Sequence, residues 1–388
     1  MYQSGTSGDK EPGGHPVVDS VRRAGGLRFD RFVEAALYGP GGFFTSVGRG
    51  AGRRADFVTS VEVGSLFGAV VARALDAEWV RLGRPDPFVV VEAGAGRGAL
   101  ARDVLQAEPE CAPALRYVCV ERSARLRAEA EALLPVEPPA TVLGLGRARG
   151  PDDDVSVVAA GPSVAVLADL PVPVPFGVVL ANELLDNLPF RLLERREAGW
   201  AEVFVGPGPT EGTLAEVLVD APPETVAATG LAPDAGPGAR VPFQQAARAW
   251  LARAGTVVGA GRVVVVDYAD TTASLARRPW RDWLRTYRGH GRGGAPLDHP
   301  GDQDLTCEVA VDQLARVRVP RSDRPQAEWL AGHGMDELVA AARSTWHERA
   351  GVGDLAALAA RSRMGEAEAL GDPAGLGAFR VLEWEVGR

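Results

Sequence analysis

The chain is poor in the residues that staple small folds or hold metals: its 388 residues include only 3 cysteines and 5 histidines. Cys111, Cys119 and Cys307 stand far apart, with no CxxC spacing and no nearby histidine pair, which argues against a disulfide framework and a zinc site. No metal is expected, and a reducing cytoplasm fits such thiol usage. Long apolar runs are missing as well. None approaches membrane-spanning length, and the opening "MYQSGTSGDKEPGGHPVVDS" lacks the basic and then apolar layout of a secretory signal. Residues 1–20 read as a disordered tail, and no membrane contact is expected. Positive charge is in deficit, 42 Lys+Arg against 51 Asp+Glu, and a net charge of -9 disfavours wholesale binding to polyanions such as nucleic acid.

What is present is enough apolar residue, 46%, for a substantial core. In "LRFDRFVEAALYGPGGFF" residues Phe29, Phe32, Val33, Ala36 and Leu37 share one helical face, and the following Gly-Pro-Gly-Gly ends the helix. "DFVTSVEVGSLFGAVVARALDAEWVRLG" reads as one long amphipathic helix, with Thr59 and Glu62 spelling a T-x-x-E capping box at its start. From there strands (88–92, 116–120, within 155–167, 177–181 and "RVVVVDY") alternate with helices (98–106, 123–134, 242–254), the pattern of a parallel sheet covered on both faces. "WAEVFVG" and "TLAEVLVD" read as an antiparallel pair, "DAPPETVAATGLAPDAGPGARVP" as a surface loop, and "GLGAFRVLEWEV" as an edge or antiparallel strand. The stretch "RRPWRDWLRTYRGHGRGG" reads as an amphipathic helix, Arg277, Arg281, Arg285 and Arg288 lying opposite Trp280, Trp283, Leu284 and Tyr287.

The chemistry is expected where "VVVEAGAGRGALARDVL" passes from strand to turn to helix. Gly94, Gly96 and Gly98 permit positive φ and close backbone approach there. "GAGRGA" fits both a dinucleotide-binding GxGxxG/A turn and the methyltransferase ExGxGxG turn, so by itself it leaves the cofactor open. In open α/β sheets ligands lie over the carboxyl ends of the strands, which draws attention to Glu92 at the end of the first strand and Glu121 at the end of the second. After the fourth strand, "ANELLDNLP" offers Asn182, Glu183 and Asp186, the two acids one helical turn apart. Asn182 as a helix cap, with the acids complementing the helix dipole, is the competing reading.

Across nearly its whole length the chain resembles the MidA-like methyltransferases, relatives of the mitochondrial complex I assembly-factor methyltransferases. The resemblance is carried in order by "RFVEAALYGPGGFF", "DFVTSVEVGSLFG", "VVEAGAGRGAL", "VVLANELLDNLPFRL", "VVDY" and "PGDQDLTCEV". It departs at Ala95 and Ala99, where the family often has Pro and Thr, and in "TSVEV" for "TSPEI". The resemblance implies an α/β class I (Rossmann-like) methyltransferase fold: a single domain over 21–388, with an N-terminal helical extension (21–85) and insertions at about 205–240 and 275–320. It implies S-adenosylmethionine (SAM) as cofactor, held by Glu92, Gly94, Gly96, Arg97, Gly98 and Asn182, with Glu121 on the ribose. Arginine in a partner protein is the implied acceptor, oriented by Glu62, Glu183 and Asp186, with Tyr287, His290, Asp304 and Thr306 at the substrate mouth. A small-molecule or peptide acceptor, and a SAM-binding assembly factor without turnover, are the alternatives. A homodimer is compatible with all of these.

Overall fold

The computed structural model describes residues 15–46, 59–144, 146–149, 154–157, 160–289 and 291–387. The first helix, α1 (Pro16–Ala24), starts with Pro16 in its first turn and ends at Gly25, where φ is 68°. It takes in residues 16–20, which the sequence reading had put in the tail; Val17, Val18 and Val21 are buried and supply the reason. Helix α2 (Phe29–Tyr38) buries the five apolar residues expected of it.

The single long helix expected next is broken in two, α3 (Ser60–Val63) and α4 (Ser65–Arg81). The break is filled from a distant part of the chain: Glu366 packs against Gly64 where a Cβ would otherwise stand, and its Oε2 accepts from Leu66 N at 2.9 Å. That carboxylate caps α4 as an anion at a helix N-terminus. The capping box itself is not made, since Thr59 forms no side-chain cap hydrogen bond and the Glu62 side chain goes elsewhere.

Beyond α4 come β1 (Phe88–Ala93), α5 (Ala99–Gln106), β2 (Leu115–Val120), α6 (Ala124–Leu133), β3 (Ser163–Leu167) and β4 (Val174–Asn182). The chain then leaves the main sheet for β5 (Arg191–Arg196), β6 (Gly199–Pro207), β7 (Leu214–Asp220) and β8 (Arg240–Phe243). It returns through α7 (Gln245–Ala254) and β9 (Val258–Asp267), and makes a small sheet with β10 (Leu284–Arg288) and β11 (Asp304–Cys307). It closes with β12 (Ser322–Pro325), α8 (Gln326–Gly332), α9 (Met335–Arg349), α10 (Leu355–Gly371) and β13 (Arg380–Val386).

The seven-stranded main sheet runs β12-β13-β9-β4-β1-β2-β3, parallel from β9 to β3, with β13 antiparallel between β9 and β12. Thus the last strand is antiparallel, as one of its two expected readings had it, but internal. Strand β1 is buried throughout because helices cover both faces: Val90 joins the core beneath α4 and α5, while Val89 and Val91 point to the opposite core with α7. Each such side chain contributes about 1.5–3 kcal/mol by leaving water. Strand order reverses between β1 and β4, which opens a crevice above their carboxyl ends.

A second layer closes over that crevice. Strands β5, β6, β7 and β8 are antiparallel, and α2 packs Phe29, Phe32 and Val33 against Phe190, Leu192, Val203 and Val205. The segment expected as a surface loop contributes to this layer, burying Thr225, Ala228, Thr229 and Ala232 and supplying β8. The Trp/Arg-rich stretch is not one helix: a 3-10 turn over Trp280–Asp282 leads into β10, and Trp283 and Leu284 enter the core beside Phe190. Alternation along a strand, with Thr286 also buried, overrides the helical periodicity read there.

Candidate functional site

One cavity of about 510 Å³ lies over the carboxyl ends of β1, β2, β3 and β4, beneath α2 and α3. Its size suits a cofactor-sized ligand. The floor is the glycine turn. Gly94, Gly96 and Gly98 have φ of 73°, 54° and 78°, a region that costs other residues strain. A side chain at Gly94 would strike Leu184, and one at Gly98 would strike Leu134, whereas the space beside Gly96 is open. Backbone, not side chain, therefore faces the cavity at its centre.

Two acids stand beside this turn. Glu121 accepts from Gly96 N at 3.1 Å and from Ser123 N at 2.7 Å, which ties the ends of β1 and β2 together. Burial pushes its pKa up, against the pull of those two amides and of Arg127 and Arg122. Glu92 is more deeply enclosed; Tyr117 donates to its Oε2 at 2.9 Å, and desolvation drives its pKa to about 8.

Two further carboxylates, from unconnected elements, line the wall beside this turn. Glu62 from α3 meets the Arg97 guanidinium at 3.0 Å. Glu183 follows β4 at φ 50°, an uncommon conformation for a residue with a Cβ. Its Oε1 accepts from Ser60 N at 2.9 Å and Asn182 Nδ2 at 3.2 Å, so α3 is pinned to the end of β4. Desolvation raises its pKa to about 8, helped by Asp186 and Glu62. Asp186 sits one layer behind, buried, on a 3-10 turn (Leu185–Asn187) rather than a full helix, and it does not line the cavity.

Asp267, at the end of β9, was not singled out from the sequence. Its Oδ2 accepts from Leu185 N at 2.9 Å and Asp186 N at 3.3 Å, and its Oδ1 from Tyr268 N at 2.9 Å. It thereby fixes the turn that carries Glu183. Burial pushes Asp186 upward, and burial together with the charges of Asp186 and Glu183 pushes Asp267 upward. The terminal acid of "VVVVD" is the signal that could have found it, by the strand-end argument already applied to Glu92 and Glu121.

The roof is also missing from the sequence reading. Tyr38 and Phe44 stack at 5.5 Å, Arg122 lies 4.0 Å over the Tyr38 ring, and Arg122 pairs with Glu34 at 2.5 Å. Tyr38 donates to Asn187 O at 3.3 Å. Trp250, Leu170 and the Asp169–Arg253 ion pair, 2.9 Å, close the far end. Glu34, Tyr38 and Phe44 stand within "RFVEAALYGPGGFF", one of the stretches that carry the family resemblance, whereas Trp250, Leu170, Asp169 and Arg253 belong to none of them.

The expected substrate-mouth residues are set back. Asp304 is fully buried, accepting from Asn187 Nδ2 at 3.0 Å, so it touches the cavity wall from behind. Tyr287 pairs with Asp304 and Thr306 with Arg285 across β10 and β11, and neither Tyr287 nor Thr306 lines the cavity. His290 lies outside the described residues.

Against known families, residues 70–322 match the one described as "Putative S-adenosyl-L-methionine-dependent methyltransferase". The chain belongs to that family. It has the α/β Rossmann-like class I methyltransferase fold and is related to the MidA-like SAM-dependent methyltransferases. A superfamily member from Burkholderia thailandensis, solved with S-adenosylhomocysteine bound, superposes with a TM-score of 0.76 at 25% identity, over 95% of this chain and 91% of that one. The mitochondrial protein arginine methyltransferase NDUFAF7 is 28% identical in Mus musculus, over 69% of this chain, and 26% identical in Homo sapiens, over 80% of it. The match spans 60% of the mouse protein's length and 71% of the human one's.

These names overturn the cytoplasmic expectation: the named relatives are mitochondrial. The three buried, unpaired cysteines speak only of reducing surroundings, which more than one compartment provides. Among the described residues there is no helix long and apolar enough to cross a membrane and no cluster of metal-ligating side chains.

The cavity fits the cofactor. The open side of Gly96 leaves room for a ligand against the backbone, and Asn182 Oδ1, in the lining, is buried without a hydrogen-bond partner. Glu121 at the end of β2 offers a carboxylate to hydroxyl donors.

Proposed function

We propose that this chain methylates a guanidinium nitrogen of an arginine in a partner protein. The observation that carries the reading is the convergence of Glu62 and Glu183, from α3 and β4, on one wall of the cavity. Glu62 holds the Arg97 guanidinium in this structure, so an acceptor guanidinium would take the place of Arg97 there and release Arg97 to the cofactor. The NDUFAF7 relatives named as arginine methyltransferases add support from outside the structure.

SAM supplies a methyl group already activated on a sulfonium. The chain's own task is to align the acceptor nitrogen and exclude water, worth on the order of 7–11 kcal/mol where alignment is good. Glu62 and Glu183 grip the guanidinium fork and draw its positive charge toward the carboxylates, leaving electron density on the nitrogen that attacks. Glu183, with its pKa near 8, is matched to take the proton that this nitrogen sheds once methylated. Asp186 and Asp267 hold the turn beneath it. Glu92, Gly94, Gly96, Arg97, Gly98, Glu121 and Asn182 are assigned to the cofactor, and Tyr287, Asp304 and Thr306 to support of the acceptor side behind Asn187.

The test is transfer of tritiated methyl from SAM into a lysate of the source organism lacking its own copy of the protein, followed by hydrolysis and amino-acid analysis. Label recovered as methylarginine from one protein band supports the proposal. Label confined to small molecules, or recovered on another residue type, would overturn it in favour of a different acceptor.

A further inference from the structure

A second cavity, of about 190 Å³, lies on the side of the main sheet covered by α4 and α8. Its lining shares no residue with the cofactor cavity. Its floor is apolar: Val71, Ala74 and Leu75 from α4, Val178 and Leu180 from β4, and Val264 from β9. Its rim is ionic, and the ions form a chain. Glu385 pairs with Arg81 at 3.0 Å, Arg81 with Glu78 at 2.6 Å, Glu78 with Arg262 at 2.8 Å, Arg262 with Glu383 at 3.6 Å, and Glu383 with Arg324 at 3.1 Å.

The chain ends in a carboxylate, Glu385, outside the cavity lining and in a guanidinium, Arg324, within it. Arg81 and Arg262 each lie between two carboxylates, whereas Arg324 has Glu383 alone. Arg324 Nε is buried without a partner, and so is the indole N–H of Trp329, another residue of the same wall. Beside them, burial holds His333 below its ordinary pKa, so its ring is neutral at pH 7 and cancels no charge. Two unmatched donors and a guanidinium with one partner call for an acceptor, and an anionic acceptor best.

We propose that this second cavity binds a small monocarboxylate with a compact apolar body, the carboxylate at Arg324 and the body against Ala74, Leu75 and Val264. Cavities of about 150 Å³ lined by aliphatic side chains take up benzene, so an aromatic ring fits the space here. The floor rejects a second charge, because no polar group in it would solvate one. The site is independent of the arginine reading and stands whether or not that reading does.

The experiment is saturation-transfer NMR on the full chain with benzoate as probe, and benzyl alcohol and benzylamine as controls of the same size. Saturable benzoate binding that persists with SAM present, at least about tenfold tighter than benzyl alcohol, is the expected result, a carboxylate on a guanidinium being worth that difference. Ala74→Phe, which fills the floor without touching an ion pair, is expected to abolish it, and Arg324→Gln to bring benzoate to the level of benzyl alcohol. Absence of saturable benzoate binding, benzylamine binding equally well, displacement of benzoate by SAM, or binding undiminished in Ala74→Phe would each overturn the proposal.

Discussion

Two parts of the cofactor cavity's wall are built in different ways. The glycine turn is made from backbone: Gly94, Gly96 and Gly98 lie within five residues of one another, and the nearby Glu121 makes its hydrogen bonds to main-chain N–H groups. The acid cluster is made from side chains: Glu62, Glu183, Asp186 and Asp267 come from segments more than a hundred residues apart at the extremes, and each is placed by a partner from another element. The lesson is that the first tolerates few substitutions and tunes little, while the second can vary its side chains and is tied to the glycine turn through the Glu62–Arg97 pair.

Substitutions that break the backbone part should cost most. Gly94→Val places a β-branched residue at φ 73° and drives its side chain into Leu184. Strain of about 1–3 kcal/mol before the clash is counted predicts a loss of SAM affinity of roughly 100-fold or more, read by calorimetry. Glu183→Gln attacks the other part, and methyl transfer should fall by roughly 100-fold or more, the ordinary worth of a positioned general base. kcat/KM of the wild type should rise with pH through about 8, as Glu183 of the free enzyme ionises, and the Gln variant should lose that dependence. A variant with an unchanged pH profile would remove Glu183 from the chemistry.

A smaller effect sharpens the comparison from beneath. Asp267→Asn leaves the cavity wall intact but weakens the acceptor for Leu185 N and Asp186 N. Transfer is expected to drop by about tenfold, with SAM affinity unchanged, as befits the weakening of those two backbone hydrogen bonds. Parallel loss of both would mean that Asp267 supports the whole crevice.

The smallest effect concerns stability. The pKa of Glu92 is about 8 in the folded chain, above its unfolded value, so its contribution is fully present below pH about 4.3 and disappears as pH rises toward 8. Glu92→Gln keeps an acceptor for the Tyr117 hydroxyl and carries no charge to desolvate. Its melting temperature should therefore gain on the wild type by a few degrees at pH 9 and by little at pH 5. Equal gains at both pH values would place the effect in packing instead.

This contrast also explains what could be read in the sequence. The parallel strands, α2 and the glycine turn depend on neighbours in the chain, so periodicity and glycine spacing reveal them. Glu62 shows the limit: its T-x-x-E spacing points to a cap, yet the side chain goes to Arg97, and the Ser60 N–H at the start of α3 is taken by Glu183, 123 residues away. Likewise "RRPWRDWLRTYR" carries a helical stripe of arginines, but pairing with Asp304–Cys307 makes its second half a strand. Asp267 is legible as the acid that ends the strand "RVVVVDY", but not its role, since its partners, the amides of Leu185 and Asp186, are 82 and 81 residues away.

The central claim, that cofactor and acceptor are held by separable parts of one cavity, is tested most directly by titrating SAM calorimetrically into the chain carrying both Glu62→Gln and Glu183→Gln. A dissociation constant within about threefold of the wild type, less than 1 kcal/mol apart, is the predicted result. Loss of SAM binding in step with loss of methyl transfer, in a variant that still melts cooperatively, would contradict it, since the two carboxylates would then belong to the cofactor.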